Sequence, residues 1–96
     1  MSPLKKKKLN ILRKRLDTLD NSFLILLKKR AHIVQKVLNL KDHKKQIVDQ
    51  KRIKIILKSI KKKSIKIKLD PKITNRIWRN MIWSFIDFER RNFKKK

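Results

Sequence analysis

A single basic residue interrupts an apolar seam in the first half of this chain. From Leu9 to Leu40, apolar residues recur at positions 9, 12, 16, 19, 23, 26, 33, 37 and 40, in steps of three and four, and Arg30 fills the gap. A cation in such a seam costs stability unless an anion pairs with it, so Arg30 is a candidate anion-binding residue. Lys41 follows 11 residues later; at about 100° per residue a continuous helix would bring it back to within about 20° of Arg30, about 16 Å along the axis. Two long basic side chains leaning toward each other from those places can bracket a small anion. Arg13 stands 17 residues before Arg30, about 25 Å away and about 100° around the axis, so it reaches the same ligand only from a second, antiparallel copy. Glu89 closes a later apolar stripe beside Phe85 and Phe88.

Each of these residues also has a plainer reading. Arg13 and Lys41 read equally as solvated surface charge, Arg30 as a cation whose stem packs while its head stays wet, and Glu89 as the ion-pair partner of Arg90 or Arg91. The types of residue present still narrow the chemistry. There is no cysteine, which removes disulfides, zinc thiolates and thiol nucleophiles. His32 and His43 stand apart from any carboxylate cluster, so neither a metal nor a cofactor is expected. Without a triad or a carboxylate pair, the pattern suits a reaction that needs positioned cations, and it argues against hydrolases.

The elements that must carry these residues are helical. Glycine is absent, and both prolines, Pro3 and Pro71, stand where a helix can begin. The seam predicts a first helix over Leu9–Leu40, too long for one small domain to cover, so a partner chain is expected. Lys41–Gln46 reads as a turn. A second helix is expected over Ile47–Lys63 with Ile56, Leu57 and Ile60 inward, followed by a linker over Ser64–Leu69, where Ile and Lys alternate. Asp70 before Pro71 is a strong helix start and predicts a third helix to about Phe93, with Ile73, Ile77, Met81, Phe85 and Phe88 on its apolar stripe, widened by Trp78 and Ile82. The tryptophans, Trp78 and Trp83, and the phenylalanines are read as core or dimer-contact residues. The expectation is one all-α domain over 1–96, with basic tails at 1–8 and 94–96.

The chain carries 31 Lys and Arg against 7 Asp and Glu, a formal charge of +24 in 96 residues. Such a field draws polyanions, and a small basic nucleic-acid-binding helical protein is the rival reading from another class. Lysine is nevertheless spread along the chain with Ile, Leu and Asn, as the codons of an AT-rich genome would dictate. Nucleic acid is therefore not the expected partner; a small anion is. The basic run Lys5–Lys8 is followed by Arg13, Lys14, Arg15 and Asp17 rather than by an apolar stretch, and the longest apolar run, Phe23–Leu27, is far short of a membrane span. A cytoplasmic protein without membrane contact is expected.

The stretches "LNILRKRLDTLDNSFLILLKKRAHIVQKVLNLK", "VDQKR" and "IWRNMIWSFIDFE", with the Arg13, Arg30 and Lys41 spacings, resemble the all-helical chorismate mutases over about Leu9–Phe93. That resemblance implies an intertwined dimer of long, short and long helices, and the pericyclic rearrangement of chorismate to prephenate in aromatic amino acid biosynthesis. By the same resemblance Arg13 is the arginine donated across the interface. Arg30 holds a substrate carboxylate, and Lys41 reaches a carboxylate and the ether oxygen. Asp49 and Arg52 form the family's D-x-x-R, and Glu89 occupies a late position that is Gln in many members. The implied catalytic residues are Arg30, Lys41 and Glu89, and the implied substrate is the chorismate dianion. Two departures stand out. Ile53 replaces the Glu that usually follows D-x-x-R, and the loop Lys41–Asp49 is one residue shorter than the commonest form. The first departure keeps open a lyase of the same fold that splits pyruvate from isochorismate.

Overall fold

The computed structural model describes residues 1–94, so the last two residues of the expected 94–96 tail, Lys95 and Lys96, lie outside the described residues. The chain is helical throughout, with three α-helices and no strand among the described residues. Among the described residues no helix is long and apolar enough to cross a membrane. The chain divides into two units, Met1–Ile33 and Val34–Lys96.

The first helix, α1, spans Pro3–Asn39. It begins six residues before the first seam residue, because Ser2 supplies a cap and Pro3 a first-turn residue. The Lys5 N–H donates to Ser2 Oγ at 3.2 Å and the Lys6 N–H to the Ser2 carbonyl at 2.9 Å. Residues 3–8, expected as a tail, are therefore helical. At the other end the last turn tightens: the Leu40 N–H reaches the Val37 carbonyl and the Lys41 N–H the Leu38 carbonyl, each at 3.0 Å. The helix stops at Asn39, so the rotation argument made for Lys41 does not extend to it. Within Met1–Ile33 the seam lies open, with Leu16 58%, Phe23 60% and Leu26 60% exposed.

The unit Val34–Lys96 holds the end of α1, a 3-10 turn over Lys44–Gln46, helix α2 over Gln50–Lys66 and helix α3 over Pro71–Asn92. Its buried apolar core is thin: Leu38, Ile47, Ile82 and Ile86, flanked by Val48, Ile53, Ile56, Leu57 and Phe93. Leu38 lies one residue, about 100°, beyond Val37 of the seam. The core thus takes a different face of α1, while Val37 and Leu40 stay exposed.

The second helix starts at Gln50 rather than Ile47, because Asp49 caps it, accepting the Arg52 N–H at 3.0 Å. Ile47 serves the core from the preceding turn. The stretch read as a linker, Ser64–Leu69, is partly helix. Ser64 is buried in the last turn of α2, where its hydroxyl donates to the Ile60 carbonyl at 2.6 Å and meets Thr74 Oγ1 at 2.7 Å. The helix then closes with bonds from the Lys68 N–H to the Ile65 carbonyl and from the Leu69 N–H to the Ser64 carbonyl. Lys68 takes the left-handed φ of 59° in that closure.

Helix α3 starts as expected, with Asp70 accepting the Lys72 N–H at 2.9 Å and Pro71 in its first turn. It buries Thr74, Ile82, Ile86 and Glu89, with Trp78, Met81, Phe85 and Phe88 half-buried beside them. Ile73, Ile77 and Trp83, expected inside or at a contact, are about half exposed in the chain.

Candidate active site

The strongest polar feature of the Val34–Lys96 unit joins two residues far apart in sequence. Lys41 Nζ lies 3.2 Å from Glu89 Oε2 and 3.4 Å from Oε1, so one ammonium faces both oxygens of the carboxylate. Glu89 is buried, with 9% of its side chain exposed, and Lys41 retains 18%. A carboxylate this deep needs such a partner, because burial without one is costly. Two elements bring them together. α3 delivers Glu89 on its buried face, one turn beyond Ile86, and the tightened end of α1 delivers Lys41 just after Leu38 enters the core.

Gln46 holds the loop that follows Lys41. Its side-chain oxygen accepts the N–H groups of Asp42 and His43, each at 2.8 Å, which fixes the chain where it leaves Lys41. In the sequence Gln46 stands out only as one residue of a polar turn. The available signal was its place three residues after His43, the spacing of a capping box.

Lys41, Gln46, Val48, Asp49, Gln50 and Lys51 line an open depression of about 520 Å³, within the size range of small-ligand sites. Asp49 thus shares that surface with Lys41 while its carboxylate caps α2. Arg52, one turn into α2, is exposed, and its backbone N–H is the group that Asp49 holds. Ile53 is half-buried against the core.

Of the six residues singled out from sequence, the structure joins Lys41 to Glu89 directly and places Asp49 on the depression beside Lys41. Arg13 and Arg30 belong to the other unit, on α1, with Arg13 exposed and Arg30 half-buried. Glu89 pairs with Lys41 across 48 residues and not with Arg90 or Arg91; the surface pair nearby is Arg91 with Asp87 at 2.9 Å. No group of three or more His, Cys, Asp or Glu able to hold a metal occurs among the described residues.

A family model described as chorismate mutase type II matches residues 12–90. The chain belongs to the chorismate mutase type II family. The matched span takes in Arg13, Arg30, Lys41, Asp49, Arg52 and Glu89, and with them the whole of α2. Comparison with curated proteins and with solved structures found no match. In this chorismate mutase type II chain, the buried Lys41–Glu89 pair joins two of those residues within the Val34–Lys96 unit.

Proposed function

We propose that this protein is a chorismate mutase that rearranges chorismate to prephenate as a homodimer, without metal or cofactor. The observation that carries the reading is the family match over residues 12–90, which spans every residue proposed for the site. The reaction is one pericyclic step, with no nucleophile and no proton transfer, so the protein must hold the substrate in its compact reactive conformer and place donors where charge grows on the breaking ether oxygen.

Arg30 of one chain and Arg13 of a second copy clamp the two carboxylates, each able to present two parallel N–H donors. Lys41 supplies a positive charge at the ether oxygen, and its pairing with Glu89 holds the ammonium in place before substrate arrives. Since Glu89 offsets the charge of Lys41, the net positive charge that a dianion requires must come from the two arginines. Asp49 and Arg52 line the substrate site from the start of α2. The second copy is supported by the open seam of α1, where Leu12, Leu16, Leu19, Phe23 and Leu26 are all more than half exposed. A contiguous apolar surface of this kind marks an association face.

A second reading has its own support. Ile53, where the family usually has Glu, is packed against the core and offers nothing polar to a substrate hydroxyl. This favours keeping an isochorismate pyruvate lyase in view.

One experiment tests both. The purified protein is incubated with chorismate and, separately, with isochorismate, and the products are identified. Prephenate is the expected product, formed about 10²–10³-fold more slowly by Lys41→Ala, the usual loss for removing one donor to a developing oxyanion. Pyruvate from isochorismate without prephenate would transfer the assignment to the lyase. A folded dimer that consumes neither compound would reject both.

A further inference from the structure

The outward face of α2 has no part in the proposed reaction, and it carries lysines at a regular helical spacing. Lys54, Lys58, Lys62 and Lys66 follow one another at every fourth residue, all exposed. On an α-helix that spacing sets them along one inclined ridge, rising about 6 Å and turning about 40° per step, about 18 Å and 120° in all. Lys61 and Lys63 flank the row, and α2 contains no acidic residue. Lys58, Lys62 and Lys63, with Ile55 and Ser59, line a shallow groove beside it. Like charges four apart repel each other, so the row opposes the helix that carries it. It meets no compensating carboxylate: the ion pairs found among the described residues, Lys41–Glu89 and Arg91–Asp87, leave α2 out.

We propose that this lysine row is a docking surface for the phosphate backbone of duplex nucleic acid, bound without regard to base sequence. Charge complementarity selects the partner. A linear array of cations spaced at a few ångströms matches a linear array of phosphates and has far more charge than a small anion can use. The same face argues against the other polyanions. α2 packs Ile53, Ile56 and Leu57 against its own core, Ile60 is half-buried, and its exposed isoleucines, Ile55 and Ile65, stand ten residues apart, so no apolar stripe is left to enter a lipid surface. α2 also carries no aromatic side chain on which single-stranded bases could stack.

The test uses the full chain and a fluorescent 30-base-pair DNA duplex, with the dissociation constant measured by anisotropy between 50 and 200 mM NaCl. Four phosphate contacts give a salt slope of about −3.6, an affinity loss of about 150-fold over that range. The variant Lys54→Gln/Lys58→Gln/Lys62→Gln/Lys66→Gln is expected to flatten the slope by about that amount. A control with the same charge change, Lys5→Gln/Lys6→Gln/Lys7→Gln/Lys8→Gln, should flatten it by less than about 1. An equal effect of the two variants would mean that the duplex senses only the total charge, and the proposal falls. Absence of duplex binding, or binding confined to phosphatidylserine vesicles or to single strands, also overturns it. A second measurement needs no variant: acetylation of the wild-type protein, with and without duplex, should be suppressed at the four lysines of the row and unchanged at Lys5–Lys8. Uniform suppression or none counts against the row. Turnover of chorismate has no bearing on either readout.

Discussion

In the proposed site the contact between Lys41 and Glu89 serves stability and chemistry at once, and the two can be separated. Removing Lys41 leaves a carboxylate with 9% side-chain exposure and no cation, and breaking a buried pair from one side costs about 3–5 kcal/mol. Replacing both partners by apolar side chains of similar length removes the uncompensated charge, and such replacements are often neutral. Lys41→Met alone is therefore expected to lower the free energy of unfolding by about 3 kcal/mol in urea titrations, and Lys41→Met/Glu89→Leu to recover most of it. If Lys41 acts as proposed, turnover should stay lost in both, because neither variant has an ammonium to offer the ether oxygen. If the double variant regained activity along with stability, the assigned role of Lys41 would be wrong. Gln46 belongs to the same scale: its two bonds to the N–H groups of Asp42 and His43 are the local reason that the chain turns away after Lys41.

The helices show where local sequence decides structure and where it is overruled. At the end of α2 a lysine occupies the left-handed position that closes the helix, with φ of 59° at Lys68, in a chain that contains no glycine. A side chain in that conformation costs about 1–2 kcal/mol, which glycine does not incur. Lys68→Gly should raise stability by about 1 kcal/mol, a rise of about 4–8 °C in melting temperature for a domain of this size, and a lower melting temperature would contradict the closure. That closure was hidden in the sequence because the alternation of Ile and Lys over Ser64–Leu69 imitates a strand, and because its usual marker, glycine, is missing. Asp70 before Pro71, by contrast, states the start of α3 outright, and the structure uses both residues as expected. The start of α1 lay in Ser2 and Pro3, but the basic run after them has no apolar periodicity and read as a tail. On α3 the stripe was legible in outline, yet Ile86 and Thr74 take buried places while Ile73 and Ile77 stay exposed. A one-chain periodicity cannot separate a face turned to the core from a face left open. For the candidate site, the spacing picked out Lys41 and Glu89 singly, but their contact across 48 residues depends on how α1 ends and α3 packs, which no local pattern encodes.

The whole molecule sets two large effects against each other. Its buried apolar core amounts to Leu38, Ile47, Ile82 and Ile86, while Leu12, Leu16, Leu19, Phe23 and Leu26 lie open along α1, so apolar surface favours pairing with a second copy. Each copy, however, carries a formal charge of +24, and two such chains repel. Salt weakens the repulsion, since the screening length falls from about 10 Å at 0.1 M to about 3 Å at 1 M, and it leaves apolar burial intact. The proposed dimer should therefore tighten as NaCl rises from 0.1 to 1 M, measured as the dissociation constant in sedimentation equilibrium, the reverse of an interface held by ion pairs. Its melting temperature should also climb with protein concentration, as it does for any fold that gains stability from association. Phe23→Asp, which puts a charge into the middle of the open seam, should leave a monomer at concentrations where the wild type pairs, and it should abolish turnover although Phe23 is no part of the proposed site. A wild-type chain that sediments as a monomer at every salt concentration would remove the second copy, and with it the role proposed for Arg13.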